Sequence, residues 1–207
     1  LWINPDIKYV VAKVNKEKWI ITKEAARKLE FLNASVSIIS EIDGSDLIGK
    51  SVFNETRRQL VPMFPASFVD PNNGTGIVMS VPAHSPYDYQ ALVDLKKDDN
   101  TLRKFAITVN IVPIKIIQSD AFRSNDASPA ESIVTRYSIR DQNDPKLEEA
   151  TSKLYSEEFH NGVLLPNIDH IGNLSVIKAR ETIREKIINE EIGTTMYELK
   201  NVVKCRC

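Results

Sequence analysis

Two side chains four positions apart, His84 and Asp88, and a glycine-bent stretch ahead of them, Gly74-Thr75-Gly76, are the residues whose types and spacing could do chemistry. A carboxylate in a shallow pocket holds an ammonium group by a charge-assisted hydrogen bond. An imidazole orients a substrate or a water, or moves a proton, near neutral pH. Backbone N–H groups, one imidazole and one carboxylate beside a glycine-rich turn are a common way to build a small polar pocket. Each residue also has a plainer reading. An aspartate in the first turn of a helix stabilises that helix end while solvated, and a loop histidine can simply hydrogen-bond its own loop. On spacing alone, the solvated reading of Asp88 comes first and His84 stays open between the two.

The elements around these residues follow from turn and helix chemistry. Asn73-Gly74 tolerates positive φ, so the chain can turn sharply before Gly76 opens an apolar run, Ile77 to Val81, of strand type. Pro82 cannot donate to a sheet ladder and Pro86 presets a helical φ, so the strand stops near Val81 and a helix runs from Pro86 to about Lys96. In that helix Tyr87, Ala91 and Leu95 share a core-facing stripe, with Asp88 on another face of the first turn. Strand periodicity places Met79 and Val81 in the core.

Gly74-Thr75-Gly76-Ile77-Val78, Val81-Pro82-Ala83-His84 and Asp88-Tyr89, in that order, resemble the signature of the editing domain inserted in leucyl-, isoleucyl- and valyl-tRNA synthetases. Ser80 to Asp88, with Ala91-Leu92, most resembles the archaeal and eukaryotic-cytosolic leucyl type. The resemblance implies an α+β fold: an antiparallel β-barrel-like core with peripheral helices and a helical lobe. It implies hydrolysis of the aminoacyl ester at the 3′ end of mischarged tRNA(Leu). Asp88 would grip the substrate ammonium, and His84 would orient substrate or water. Gly74, Thr75 and Gly76 would cradle the terminal ribose or the ester, while Met79, Val81 and Pro82 would line the pocket. No metal or cofactor is implied for editing; ATP and Mg belong to the parent enzyme's catalytic core, which has no counterpart in this sequence. The implied partners are the 3′ end of aminoacylated tRNA(Leu) and the rest of the synthetase, in the cytoplasm and away from membranes. The family's threonine-rich segment around Thr-Arg-Pro lies ahead of the Trp2-Ile3-Asn4-Pro5 equivalent and is not in this sequence, which implies an impaired fragment. Isoleucyl or valyl editing, or a non-catalytic module that positions tRNA, are the alternatives.

Composition sets the frame. The chain has 207 residues, 42% apolar and 27% charged, with a net charge of −1, enough for one globular domain and without a global basic footprint, so any RNA contact must be local. No apolar run reaches a membrane span. Cys205 and Cys207 read either as incidental thiols in a reducing compartment or as part of a metal knuckle completed from outside. Residues 1–207 are expected to form one editing domain, β-rich over 1–117 and 173–207, with a partly helical lobe over 118–172.

Along the chain, strands are expected over 7–13, 17–21 and 36–42, with Asn15 at a turn and a short helix capped by Thr22. Residues 59–81 read as an antiparallel hairpin and 105–117 as a further strand weakened by Pro113. Helices are expected from Ser128-Pro129, from Asp144-Pro145 to Gly162 with Leu147, Ala150, Leu154 and Phe159 inward, and from Ser175 to Gly193, before a closing strand over 194–203. His160 and His170 read as surface residues.

Overall fold

Alternating apolar residues dictate the best-formed sheet. The computed structural model describes residues 1–32, 34–122 and 128–196. It divides into two compact units: residues 1–79 with 193–207, and residues 80–192.

The first unit opens with a two-residue strand β1 (Trp2–Ile3), followed by β2 (Lys8–Val14), β3 (Glu17–Thr22), helix α1 (Lys23–Phe31) and β4 (Val36–Asp43). In β2, Val10, Ala12 and Val14 fall on one face and meet Ile21 of β3 and Ala25, Ala26 and Leu29 of α1 in a common core. Strand β2 is central, antiparallel to both neighbours, with an irregularity between Val11 and Ala12. Asn15 makes the β2–β3 turn at φ +53°. Thr22 caps α1 by accepting the Ala25 N–H at 3.2 Å. A one-turn 3₁₀ segment, Gly44–Leu47, leads to an antiparallel hairpin of β5 (Ser51–Asn54) and β6 (Gln59–Pro62).

The expected hairpin over 59–81 does not form. Instead β7 (Phe64–Pro65) runs parallel to β1, and β8 (Ile77–Val78) runs antiparallel to β1 on its other side. Apolar burial explains the substitution, because Trp2 and Ile3 are among the most buried side chains of the described residues and Trp2 meets Phe64 at a tilt and Phe68 edge-on. The Asn4 amide reinforces the arrangement by donating to the Val69 carbonyl at 3.0 Å.

The second unit holds α2 (Pro86–Lys97), α3 (Asp99–Lys104), β9 (Ile117–Gln118), α4 (Pro129–Tyr137), α5 (Lys146–Asn161), β10 (Val163–Leu164) and α6 (Val176–Asn189). Helices α4 and α5 pack around Ala130, Ile133, Ala150 and Leu154, joined by Phe122. Ser128 caps α4 through the Glu131 N–H at 3.2 Å, as the Ser-x-x-Glu spacing requires. Helix α5 ends at Gly162, which turns extended at φ −75° and ψ 143°, and only glycine fits there because a Cβ would lie 2.2 Å from the Glu158 carbonyl oxygen. Strands β9 and β10 pair antiparallel beside α6, which contributes Ala179 to a small cluster with Leu164 and Ile171.

Other expectations from the sequence also give way. Residues 107–116 run without strand pairing, so β9 is only the last part of the run expected over 105–117. The polar stretch after α2 is the short helix α3, capped by Asp98 through the Thr101 N–H at 3.1 Å. The fold is mixed α+β, but among the described residues its strands form four small separate sheets and no closed barrel. Thr194 to Met196 carry no strand, and the rest of the expected closing strand, with Cys205 and Cys207, lies outside the described residues.

Candidate functional site

The glycine bend belongs to the first unit. Gly76 N–H closes a turn onto the Asn73 carbonyl at 3.0 Å, and Gly74 and Gly76 sit at φ +53° and +74°. Two carbonyls of the bend are anchored from the sheet: the Thr22 N–H donates to Thr75 O at 3.0 Å and the Tyr9 hydroxyl to Gly76 O at 2.8 Å. The Tyr9 oxygen in turn accepts the Asn4 N–H at 3.1 Å, and burial pushes its phenol pKa up. Thr22 also donates its hydroxyl to Pro71 O at 2.9 Å, so one threonine both caps α1 and ties down the 71–76 turn. Gly76 is confined by that threonine, since a Cβ would lie 2.2 Å from Thr22 Cγ2. The Thr75 hydroxyl makes only long contacts, 3.3 and 3.4 Å, with the Ile77 backbone. Met79 is 47% exposed, and Val81, in the second unit, 49%. The core placement that strand periodicity suggests for both is therefore wrong: β1 offers only two residues to pair with, so the pleat ends at Val78.

In the second unit the chain folds tightly ahead of α2. The Val81 carbonyl accepts both the His84 and Ser85 N–H groups, at 2.9 and 3.0 Å. The Val81 N–H donates to Asp88 Oδ2 at 2.8 Å. Ser85 caps the helix, its hydroxyl accepting the Asp88 N–H at 3.3 Å, and Pro86 occupies the first turn. Asp88 is 6% exposed, so it is not the solvated helix-start residue that spacing alone suggests. Its carboxylate is held at the end of α2 where unpaired N–H groups favour negative charge. Pro82, half-buried, leads into this turn.

His84 is 8% exposed and both its ring nitrogens are engaged. Nε2 accepts the Ile116 N–H at 2.9 Å, which places the ring hydrogen on Nδ1, and Nδ1 donates to Glu158 Oε1 at 2.7 Å. In this geometry the imidazole has no nitrogen open to a substrate proton, and it serves as a hydrogen-bonding strut for its loop. Glu158 is 5% exposed; burial pushes its carboxyl pKa up, against the pull of the His84 hydrogen bond and the nearby Lys115. One turn earlier on α5, half-exposed Tyr155 lies close to Ser85. Burial raises the Tyr155 pKa, helped by the charges of Asp88 and Glu158. The Ala83 carbonyl accepts the Ala130 N–H at the start of α4, at 3.0 Å.

Sequence reasoning missed Glu158, Tyr155 and Ile116. A signal for Glu158 exists: Leu147, Thr151, Leu154 and Glu158 recur at helical spacing and are all buried, whereas Phe159, the expected stripe member, is largely exposed. A carboxylate on an inner stripe needs a buried partner. Nearby, Tyr89, Leu92, Val93, Lys96, Ile111 and Glu131 line an open depression of about 270 Å³ that does not include Asp88. The Tyr89 phenol there is pushed up to about 12 by burial and by Glu131. His160 and His170 lie at the surface, against Phe159 and Asp169 respectively. Among the described residues no group of three or more His, Cys, Asp or Glu is placed to hold a metal, and no helix is long and apolar enough to cross a membrane.

No protein-family model matches the chain. Curated relatives do. The leucine–tRNA ligase of Methanococcoides burtonii is 42% identical over 211 residues, covering 100% of this chain and 22% of the relative. That of Methanothrix thermoacetophila is 41% identical over 208 residues, with the same coverage. The chain thus spans about a fifth of the length of these relatives, 22%. Among solved structures, GlLeuRS-CP1 superposes with a TM-score of 0.84 at 23% identity, over 96% of this chain and 78% of that one. The editing domain of Plasmodium falciparum cytosolic leucyl-tRNA synthetase gives 0.80 at 18%, over 91% and 70%. At these identities the structural likeness speaks for the fold.

The geometry of the bend and of the buried carboxyl can each be tested by unfolding. Gly76→Ala combines a positive φ with the Thr22 clash and lowers unfolding free energy by about 2 kcal/mol or more, read by urea denaturation. Glu158 has a pKa raised above its ordinary 4.5, so the folded state holds that proton more tightly than the unfolded chain. The resulting stabilisation is complete below about pH 4.5 and is lost as pH rises through the folded value. Glu158→Gln therefore gains on the wild type as pH rises from about 4.5 to about 8 in paired denaturation curves; a gain that shrinks over that range contradicts the assigned direction.

Proposed function

This chain belongs to the leucyl-tRNA synthetases and has the fold of their editing domain; on that premise we propose that it hydrolyses the aminoacyl ester of tRNA(Leu) carrying the wrong amino acid. The whole protein, in this reading, ligates leucine to tRNA(Leu) with ATP and Mg in its catalytic core, in the cytoplasm, and the chain's partners are the tRNA 3′ end and the rest of the enzyme. An apolar pocket separates side chains one methylene apart by only about 1–3 kcal/mol, so a synthetase for an aliphatic amino acid gains accuracy from a second, hydrolytic site that spares the correct product.

The substrate ester is already activated. Catalysis then rests on positioning the ester, admitting a water and stabilising oxyanion charge, without a metal or a covalent nucleophile. Every aminoacyl ester presents an α-ammonium, and Asp88 is the group proposed to bind it. The observation that carries this assignment is the buried Asp88 carboxylate, oriented by the Val81 N–H at 2.8 Å. A carboxylate accepts about four hydrogen bonds, so a backbone bond that fixes its direction is compatible with a further bond to an ammonium. By the resemblance, Gly74, Thr75 and Gly76 are proposed to handle the ribose or ester and Met79, Val81 and Pro82 to contact substrate, the exposure of Met79 and Val81 being compatible with that role. His84 orients the loop whose Val81 N–H holds the Asp88 carboxylate rather than acting as acid or base, because its ring nitrogens are both in use.

Asp88→Ala is expected to slow deacylation of mischarged tRNA(Leu) by about 10- to 100-fold, the loss of one charge-assisted hydrogen bond. Asp88→Asn keeps an acceptor for the Val81 N–H and removes the charge, so it isolates ammonium binding from loop support. It should be nearly as slow; wild-type deacylation by Asp88→Asn rules out the ammonium role, and failure to bind a non-hydrolysable aminoacyl-adenosine analogue would instead mark a non-catalytic module.

A further inference from the structure

Glu158 lies on the inner side of α5 and reaches the loop that precedes α2, and Tyr155, one turn earlier and half exposed, lies beside the same loop. Glu158 Oε1 receives the His84 Nδ1–H at 2.7 Å, next to Ser85, the N-cap of α2. His84 and Ser85 both donate their backbone N–H groups to the Val81 carbonyl, and Val81 donates its own N–H to the Asp88 carboxylate. Glu158 is thus linked to Asp88 through three hydrogen bonds joined by the covalent frames of His84 and Val81.

We propose that Glu158 is a positioning residue for Asp88, acting by selecting the Nδ1–H tautomer of His84. The selection matters because His84 makes two bonds of opposite kind. Nε2 must accept from Ile116 N–H, so the ring can keep that bond only while its hydrogen is on Nδ1. A buried carboxylate facing Nδ1 favours that state and penalises the other, as carboxylates do behind metal-binding and catalytic histidines. Without it, a buried Nδ1–H has no acceptor, the Nε2–H tautomer becomes competitive, and Nε2–H then opposes the Ile116 N–H. The ring must move, and residues 81–85 move with it. Glu158 touches no substrate; it determines where the Val81 N–H points and hence the direction of the carboxylate that meets the ammonium. The groups around it suit a positioning role, since Lys115 is anchored to the Phe122 carbonyl at 2.8 Å and the Ala83 carbonyl is fixed by the α4 N-terminus.

The inference rests on the ammonium-binding reading of Asp88, and its test separates the two. Ring ¹⁵N chemical shifts of His84 report the tautomer, and titration with an aminoacyl-adenosine analogue whose ester oxygen is replaced by NH reports Asp88's orientation. Glu158→Gln keeps an acceptor at the same reach, so it should retain the Nδ1–H signature and bind within about twofold of wild type. Glu158→Asp keeps the charge but falls one methylene short, so it should lose the signature and bind about tenfold more weakly. Because Gln removes the charge and Asp preserves it, this order distinguishes hydrogen-bond reach from charge or packing, and neither variant opens a large cavity. The proposal is overturned if Glu158→Asp changes the His84 tautomer without weakening binding, if it leaves the tautomer unchanged, or if Glu158→Gln binds as weakly as Glu158→Asp. Wild-type binding by Asp88→Asn would remove the ammonium reading, while the ring shifts would still report whether Glu158 sets the tautomer.

Discussion

A buried imidazole with two hydrogen-bonding nitrogens must satisfy both, and in this chain that requirement organises the segment around Asp88. His84 lies in the short loop ahead of α2, where Ala83 is buried but Val81 is half exposed, so hydrogen bonds as well as packing set the position of residues 81–85. Its ring nitrogens tie the loop to α5 through Glu158 and to the extended segment through the Ile116 N–H. Burying a carboxylate is unfavourable unless it is hydrogen-bonded, and leaving a buried donor or acceptor without its partner costs about 1–3 kcal/mol. The pair therefore confers specificity on the loop: alternatives that break either bond strand a polar group away from water. The helix cap at Ser85 and the Ala83–Ala130 backbone bond depend on the same placement.

The first unit solves a comparable problem by different means. The 71–76 turn lacks a regular ladder, and its carbonyls are taken up by Thr22 and Tyr9, residues at the end and start of well-formed strands. Thr22 ends β3, caps α1 and supports the bend, so the rigid β2–β3–α1 core directly determines where the glycines turn. The close approach of Thr22 Cγ2 leaves room only for hydrogen at Gly76. Function-bearing loops on rigid supports are the usual economy of binding sites, and for the proposed hydrolysis it suits the chemistry. An activated ester needs orientation more than a powerful catalyst, so few side chains carry the reaction while many hold them still.

Legibility from sequence tracked the range of the interaction. Thr22, Ser128 and Ser175 were readable as caps, and the helices they begin are all present, because a cap is settled within one turn; α2 was placed from Pro86, and its cap, Ser85, is seen only in the structure. The alternation of β2 and β3 was readable for the same reason. The pairing of β1 between β7 and β8 was not, because it depends on the burial of Trp2 and Ile3 by residues more than 60 positions away. The run at 107–116 looked like a strand by composition, yet apolar residues alone do not supply a partner's N–H and C=O groups, and no ladder formed there.

At the candidate site the division is sharper. The order of glycines, prolines, His84 and Asp88 placed a helix start at Pro86, because turn and helix-start chemistry are encoded in adjacent residues, whereas the family and the choice of one carboxylate came from the resemblance that this order carries. Only the tertiary structure decided that Asp88 is buried and held by Val81, that His84 is a strut with both nitrogens occupied, and that Glu158, 74 residues further on, is its partner. The physical reason is that burial and tautomer are properties of an environment assembled from distant segments, and a residue's type states what it can bond to but not what the fold brings within 3 Å of it.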